Sequence, residues 1–255
     1  MNIITVKNVT KIFQLGKVQV TALDDVSMTV DKGEFLAIAG PSGSGKTTLL
    51  NLIGCIDKAD KGYIEIDGQD VSRMNSNQLA DIRARKLSFI FQTFNLIPVL
   101  SAYENVEYPL LMSEKNSAKR RDRILQALHS VELDSHIKHR PDELSGGQRQ
   151  RVAIARALVT DPKIILADEP TANLDIKTGE KILEIMKQIN EEKKTIFVFS
   201  THDPKIMGMA SRIINIRDGQ ISKYSHFDRR FGIEGKDYSG QDRRDPTGRS
   251  SLDEN

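Results

Sequence analysis

The sequence contains a single cysteine, Cys55, among its 255 residues. An internal disulfide is therefore excluded, and the cysteine usage gives no sign of an oxidising compartment. Because a free cysteine is most often a small buried residue, we expect Cys55 to be part of the core.

An excess of one charge and long apolar runs are also missing. The 37 Lys and Arg residues nearly balance the 35 Asp and Glu residues, which leaves a formal net charge of +2. This balance gives no support to a general nucleic-acid-binding or membrane-binding surface. No apolar run approaches the roughly 20 residues that span a bilayer, and the N-terminus lacks the apolar region of a signal peptide. We therefore expect an intracellular protein that reaches a membrane only through a partner.

The order of the sequence patterns predicts an α/β fold. Two alternating segments occupy residues 1 to about 31, and "GYIEIDGQDV" combines strict alternation with Asp67-Gly68, a hairpin signal. The apolar runs "EFLAIAG", "KIILAD" and "TIFVFST" are typical of buried parallel strands, and a helical pattern separates the last two. We expect a parallel core sheet with an N-terminal antiparallel β subdomain.

Helical periodicity dominates residues 93–160, which we expect to form a helical subdomain within one domain over residues 1–224. Beyond that boundary the composition becomes polar and rich in Gly, Asp and Arg. Residues 225–255 are therefore expected to form a disordered tail. A short docking motif around Phe227 and Phe231 is the alternative. The sequence contains no internal repeat.

A glycine-rich segment, "GPSGSGKTT", follows an apolar strand and opens a helix. It fits the pattern G-x-x-x-x-G-K-[ST], in which backbone N–H groups curl around phosphate oxygens. Lys46 is expected to reach the β- and γ-phosphates and the Thr47 hydroxyl to ligate Mg²⁺, while the helix adds the positive end of its dipole. The residues expected to bind nucleotide are Gly40, Pro41, Ser42, Gly43, Ser44, Gly45, Lys46, Thr47 and Thr48.

Two adjacent carboxylates, Asp168 and Glu169, follow four apolar residues at a predicted strand end. Burying two carboxylates is costly, which favours a functional reason for the pair. We assign Asp168 to the coordination of Mg²⁺ and Glu169 to the attacking water, as general base. A structural salt bridge is the alternative for either residue taken alone.

Polar side chains end two further apolar runs. His202 follows "TIFVFST" and Gln92 follows "LSFIF". Ligands gather at the carboxyl ends of parallel strands, so both are candidates for the site. A structural role is the alternative for His202, and Gln92 alone would be unremarkable.

A second candidate anion site lies about a hundred residues after the first, in "LSGGQRQRVAIARAL". Its serine and two glycines, residues 145–147, precede an arginine-rich helix and could present a hydroxyl and backbone N–H groups to an anion. Taken alone, this segment is better explained as a simple helix cap. We interpret the helix arginines as solvated or phosphate-facing rather than as a nucleic-acid face: Arg149, Arg151 and Arg156.

In this order and spacing, the segments resemble the nucleotide-binding subunit of an ATP-binding-cassette (ABC) transporter, a P-loop NTPase, over about residues 1–224. The resemblance makes residues 40–48 the Walker A loop, "IILADEP" the Walker B strand, residues 173–175 the D-loop and "LSGGQ" the signature. It implies that Phe13 stacks on adenine. Gln92 becomes the Q-loop glutamine, with roles in catalysis and at the metal, and His202 becomes the switch histidine.

The resemblance also implies ATP and Mg²⁺ as cofactors and explains the second anion site. In this family two subunits bind head to tail and enclose ATP between them. ATP held by the Walker A loop of one subunit would contact the signature of its partner through four residues, Ser145, Gly146, Gly147 and Gln148. The implied assembly is a homodimer.

Two stretches, "FIFQTFNLIPVLSAYENVEYPLL" and "ADEPTANLD", resemble the branch that holds lipoprotein-release, macrolide-export and cell-division ATPases. Glycine is usual in that branch where this chain has Ala172. The branch implies an ATPase that powers export, or release of lipoprotein-type or macrolide-type substrates, through a separate membrane permease. The protein would lie in the cytoplasm, peripherally on the inner face of the cell membrane. Residues 94–104 would contact a short permease helix, although some of them could equally be core.

Two other functions remain as hypotheses. The first is a cell-division type ATPase that regulates a cell-wall hydrolase through a permease-like partner. The second is a DNA-repair or chromosome-organising ATPase, which usually carries long coiled coils or zinc sites. Because neither heptads nor CxxC pairs occur here, we expect no nucleic-acid partner.

Overall fold

The computed structural model describes residues 2–228 and 232–236. The strands within these residues are β1 Asn2–Leu15, β2 Val18–Asp31, β3 Phe35–Ala39, β4 Lys61–Ile66, β5 Gln69–Asp70, β6 Leu87–Ile90, β7 Ile164–Asp168, β8 Ile196–Thr201, β9 Arg212–Arg217, β10 Gln220–Asp228 and β11 Gly232–Lys236. The α-helices are α1 Lys46–Ile53, α2 Ser76–Lys86, α3 Ala102–Glu107, α4 Ser117–His129, α5 Gly146–Leu158, α6 Ile176–Lys193 and α7 Pro204–Met209.

The first strands form a four-stranded antiparallel sheet in the order β2-β1-β4-β5. The hairpin between β4 and β5 turns at Asp67-Gly68, and both residues have positive φ, 51° and 76°. Aspartate followed by glycine suits such a turn because these residues tolerate the left-handed region. The predicted N-terminal antiparallel subdomain is confirmed.

The second sheet has seven strands in the order β11-β10-β9-β3-β8-β7-β6. The pairs from β9 to β6 are parallel, whereas β10 and β11 are added antiparallel at one edge. The apolar runs predicted as parallel strands therefore pair as expected, and the carboxyl ends of β3, β8, β7 and β6 meet along one edge.

Two hydrophobic cores lie on opposite faces of the parallel sheet. Successive residues of a strand point to opposite faces. Leu36 and Ile38 of β3 belong to the core that also contains α1, α2 and the antiparallel sheet, while Phe35 and Ala37 belong to the core with α3 to α7. The Walker A helix α1 and the signature helix α5 therefore pack on opposite faces of the sheet.

The sequence patterns did not predict helices α2 and α7. Only Leu79 and Ile82 of α2 are buried, so its apolar stripe is too narrow for a periodicity signal. Its start is instead marked by a capping box between Asn75 and Gln78. Helix α7 has six residues and buries only Ile206.

The predicted boundary at residue 224 falls inside a strand. β10 pairs with β9 as far as His226, and its outer edge pairs with β11 from residue 224 to residue 228. Residues 225–228 and 232–236 of the segment expected to be disordered lie in strands β10 and β11. Strand pairing uses backbone groups, so a segment poor in aliphatic residues can still extend a sheet edge. Phe227 lies in β10, whereas Phe231 and the tail residues 229–231 and 237–255 lie outside the described residues.

None of the helices in the described part of the chain combines the length and apolarity that crossing a bilayer requires.

Candidate functional site

The segments predicted to form the site follow neighbouring strands of the parallel sheet. The register pairs Ala39 with Thr201, Asp168 with Ser200, and Ile90 with Ala167. The glycine-rich loop after β3, His202 after β8, the two carboxylates at the end of β7 and Gln92 after β6 therefore line one edge in that order. This is the position at which ligands bind in open α/β sheets.

The loop of residues 40–48 forms a cradle at the start of α1. Gly45 has φ of 103°, and a Cβ there would lie 2.5 Å from the carbonyl oxygen of Ala22. The site therefore requires glycine. The first turn of α1 has no side-chain cap, which leaves a helix N-terminus suited to an anion.

Lys46 and Ser44 show that this cradle fits a phosphate chain. Lys46 is only 6% exposed, and its Nζ donates to the carbonyl oxygens of Gly40 and Pro41 at 2.9 and 2.8 Å. The Ser44 hydroxyl is buried without a hydrogen-bond partner. A buried cation that meets only carbonyl dipoles, beside an unpaired hydroxyl, is matched by the oxygens of an anionic ligand.

Thr47 and Asp168, the predicted metal ligands, are in direct contact. The Thr47 Oγ1 lies 3.1 Å from each oxygen of the Asp168 carboxylate, and the Ser200 hydroxyl also donates to that carboxylate. A hydroxyl and a carboxylate are hard oxygen ligands of the kind that Mg²⁺ prefers. The donor set therefore fits Mg²⁺.

Glu169 and His202 form a second pair beside the first. The His202 Nδ1 lies 3.0 Å from the Glu169 Oε1, and since an ionised carboxylate only accepts, the ring must carry its proton on Nδ1. The backbone of Glu169 has a positive φ of 44°, and its N–H donates to the Ser200 carbonyl at 3.0 Å. A strained, pinned backbone of this kind fixes a side chain in place. The pair borders a pocket of about 220 Å³.

Gln92 is placed at the same edge but is not joined to the metal-ligand pair. Its side chain is exposed, and its backbone carbonyl oxygen accepts a hydrogen bond from the Asn173 Nδ2 at 2.9 Å. The contact connects the predicted Q-loop to the predicted D-loop. The metal and catalytic roles of Gln92 stay predictions.

The signature segment caps α5 within its own chain. The Ser145 hydroxyl accepts from the Gln148 N–H at 3.2 Å, and the Gln148 Oε1 accepts from the Ser145 N–H at 2.8 Å. A Cβ on Gly147 would overlap the methyl group of Thr178 on α6, whereas a Cβ on Gly146 would meet only ordinary contacts of 3.6 Å or more. Packing within the chain therefore explains why position 147 is glycine, but it does not explain the glycine at position 146.

The arginines of α5 bind neighbouring segments of the same chain. Arg156 is largely buried and donates to the carbonyl oxygens of Phe94, at 2.8 Å, and Asn95. Burial lowers its pKa below the ordinary range. The Arg149 guanidinium lies 5.5 Å from the centre of the Phe94 ring, and Arg151 pairs with Glu132 at 2.9 Å. The interpretation of these residues as solvated or phosphate-facing is wrong, because the loop after β6 packs against Arg149 and Arg156 and the segment after α4 packs against Arg151.

Phe13 lies near the tip of the β1–β2 hairpin, opposite Val20. Its ring is 38% exposed, and the Lys11 Nζ lies 5.1 Å from the ring centre. An exposed ring can stack on a flat ligand. Its contact with adenine stays a prediction.

The sequence patterns did not predict two polar residues that form hydrogen bonds at the site, Ser200 and Gln150. Ser200, which holds Asp168, is visible in the sequence only as a polar residue at the end of an apolar run. Gln150 is fully buried and donates from Nε2 to the Pro170 carbonyl at 2.7 Å, which ties α5 to the segment after Glu169. A glutamine on the apolar face of a helix was the available signal, since a buried amide needs a partner.

Comparison with known proteins agrees with this geometry. The ABC transporter family profile matches residues 23–172. An uncharacterised ABC transporter ATP-binding protein from Thermotoga maritima is 50% identical over 214 residues, which is 84% of this chain and 91% of the relative. The macrolide export ATP-binding/permease protein MacB from Mannheimia succiniciproducens is 47% identical over 87% of this chain, which spans 34% of that protein.

A solved structure shows the same fold. It is the dimeric post-hydrolysis structure of the ATP-binding cassette MJ0796, from Methanocaldococcus jannaschii, bound to ADP and Pi. This chain superposes on it with a TM-score of 0.83 at 45% identity, over 88% of this chain and 99% of that one. With the arrangement of the site, these similarities show that the chain belongs to the ABC transporter family as an ATP-binding subunit, an ATPase with the P-loop cassette fold.

Proposed function

We propose that two copies of this chain close head to tail on two ATP molecules, each held by the Walker A loop of one copy and the signature of the other. The observation that carries this proposal is the packing of α1 and α5 on opposite faces of one sheet. The sheet therefore lies between the two half-sites of one chain, and a second copy brings a signature to each Walker A loop. The dimeric assembly of the MJ0796 cassette supports the proposal.

The proposed chemistry follows from the two pairs at the sheet edge. When ATP enters, the Lys46 ammonium exchanges the carbonyls of Gly40 and Pro41 for phosphate oxygens, which are stronger acceptors. Glu169 accepts the proton of the attacking water, and His202 holds the Glu169 carboxylate in position through Nδ1–H. Mg²⁺, held by Thr47 and Asp168, would neutralise charge on the β- and γ-phosphates.

Exposed apolar side chains before and after α3 suit the contact with a membrane permease. Val99 is 71% exposed and Met112 is 93% exposed, with Tyr108 and Leu111 exposed between them in sequence. Phe94 packs instead under Arg149, and Leu96 packs on the core, so only part of the expected segment 94–104 is free for a partner. The fully buried Asn105 braces this segment through hydrogen bonds to Ile97. Such braced apolar side chains favour protein contact.

We infer that the motor drives a separate permease of the macrolide-export or lipoprotein-release type, at the inner face of the cell membrane. The identity to MacB over most of this chain supports this class. The second candidate is regulation of a cell-wall hydrolase through a permease-like partner, which would use the same ATPase. The identity of the partner separates the two.

The test is recovery with membranes. The Met112→Asp variant places a charge on the most exposed side chain of the proposed contact, so we expect recovery in washed membranes, and cross-linking to an integral membrane protein, to fall about tenfold. Leu15→Asp is the matched control, since Leu15 is 64% exposed on the antiparallel sheet, and it should be recovered like the unmodified protein. Equal recovery of both variants, with unchanged thermal unfolding, would contradict the docking surface. Sequencing the cross-linked protein identifies a transport or a cell-wall partner.

A further inference from the structure

The signature has a histidine contact outside the family motifs described above. His136 is half-buried in a 3-10 turn, residues 134–136, and its Nε2 lies 2.9 Å from the Nε2 of Gln148. Gln148 is the last residue of "LSGGQ". The contact therefore joins a titratable side chain directly to the proposed half-site for the partner's ATP.

The orientation of the Gln148 amide follows from the capping box. The backbone N–H of Ser145 lies 2.8 Å from the Gln148 Oε1, and a backbone N–H can only donate. The amide oxygen must therefore face Ser145, and the amide nitrogen must face His136. Since the amide nitrogen can only donate, the His136 Nε2 has to accept.

These constraints fix the protonation state of His136. A ring that accepts at Nε2 is neutral and carries its proton on Nδ1. The Nδ1 lies 2.9 Å from the Ser135 hydroxyl oxygen, which can accept a hydrogen bond from the Nδ1–H group. A second proton on the ring would place an N–H donor against the Gln148 amide donor, so the contact would be lost.

We propose that His136 is a positioning residue for the signature: in its neutral form it holds the Gln148 amide, and through it the Ser145 cap, and protonation releases both. Histidine changes charge between about pH 5 and pH 8. Acidification should therefore weaken closure of the signature on ATP bound to the partner subunit. This inference rests on the proposed sandwich dimer for its effect on assembly, but not for the contact itself.

Other charged and titratable groups surround this contact. The His139 ring centre lies 5.1 Å from that of His136, and His129 at the end of α4 bonds to Asp134 at 3.0 Å. The other charged residues on the adjoining segments and helices are Glu132, Lys138, Arg140, Asp142 and Glu143 between α4 and α5, Arg149, Arg151 and Arg156 on α5, Glu104 and Glu107 on α3, and Lys119, Arg120, Arg121, Asp122 and Arg123 on α4. Of these groups, only His136 bonds to the signature glutamine among the described residues.

The experiment compares ATP-dependent dimer formation at about pH 8 and about pH 5.5 by sedimentation, in the hydrolysis-deficient Glu169→Gln background. We expect the dimer dissociation constant to rise roughly tenfold on acidification when His136 is present. His136→Gln puts an amide oxygen, which accepts without titrating, where Nε2 lies. It should keep the affinity at the higher pH and lose most of the pH dependence. His129→Gln, on an exposed histidine without a contact to Gln148, should titrate like the parent.

A parent that shows no pH dependence would overturn the proposal, and so would a His136→Gln variant that shows the full dependence. A second measurement separates this outcome from failure of the dimer itself. In the chain without added ATP, the backbone amide NMR signals of Ser145 and Gln148 should titrate together with the His136 ring. In His136→Gln these signals should no longer change with pH. If no dimer forms at any pH, these signals alone decide the inference. Amide signals of Ser145 and Gln148 that do not titrate with the His136 ring would refute it.

Discussion

Lys46 is held within its own loop by backbone dipoles. Its ammonium group is buried against the carbonyl oxygens of Gly40 and Pro41. Those dipoles keep the charge solvated and the loop curled. A phosphate chain offers full charges in the same place, so the loop is already arranged for its ligand.

Lys46→Ala should lower ATP affinity about a hundredfold or more, because it removes a charge-assisted contact in a buried cradle. Titration calorimetry or a fluorescent ATP analogue measures the affinity. Lys163→Ala is the control, since Lys163 is exposed and pairs with Asp67 away from the cradle. Unaltered binding in Lys46→Ala would contradict the assigned phosphate site.

Loss of the Glu169–His202 contact is expected to affect ATP hydrolysis and not ATP binding. His202→Ala should slow ATP hydrolysis about a hundredfold to a thousandfold while ATP affinity changes by no more than a few fold. The reason is that, in the proposed mechanism, His202 orients the base rather than the nucleotide. Steady-state turnover and an equilibrium binding measurement test the split, with the exposed His129→Ala as control. Full activity without His202 would assign it a structural role.

At the scale of secondary-structure elements, the loop after β6 depends on α5. Phe94 and Asn95 both have positive φ, 62° and 49°, which is unfavourable for two consecutive non-glycine residues. Arg156 satisfies both of their carbonyl oxygens. The helix that carries the signature therefore also fixes the backbone two residues after Gln92.

Arg156→Met should lower the free energy of unfolding by about 2 kcal/mol, because it leaves two carbonyl groups without their donor. Chemical denaturation measures the change. Arg121→Met, on the exposed face of α4, should change stability by less than about 0.5 kcal/mol. A loss in Arg156→Met no larger than that of the control would show that water replaces the guanidinium.

The elements that could be predicted from the sequence are those with local signals. β3, β7 and β8 are short apolar runs. Residues predicted to form the site lie at the end of each strand or directly after it, as Asp168 does at the end of β7. α2 was not predictable from periodicity, because two buried residues do not make a stripe. The partners of Arg156 and Gln148 depend on how distant segments pack, and single-sequence patterns carry no such information. The role of the two glycines was predictable only by resemblance, since their local geometry is that of an ordinary helix cap.

At the scale of the whole molecule, the parallel sheet separates the two nucleotide half-sites. Residues that alternate along β3 serve two cores, and each core carries one of the two helix starts. Because the sheet lies between the two helix starts, the proposed assembly needs a second copy to supply the other half of each site. ATP then bridges two chains, and its hydrolysis removes the bridging charge and allows them to separate.

Gly146 offers a selective way to test the bridge. A side chain there meets only ordinary contacts in the chain itself, and aspartate is favourable in the first turn of a helix. Gly146→Asp should therefore fold and bind ATP through Lys46, yet its carboxylate would face the γ-phosphate held by the partner subunit. Gly147 is a poorer choice, because a substitution there disturbs Thr178.

The most direct measurement is the mass of the Glu169→Gln protein by light scattering, with and without ATP and Mg²⁺. The sandwich predicts a monomer of 28.6 kDa without ATP and a stable species of twice that mass with it, because hydrolysis no longer removes the bridge. Adding Gly146→Asp to Glu169→Gln should return the mass to that of the monomer while ATP remains bound. A Glu169→Gln protein that binds ATP and stays monomeric, or a dimer indifferent to Gly146→Asp, would contradict the account.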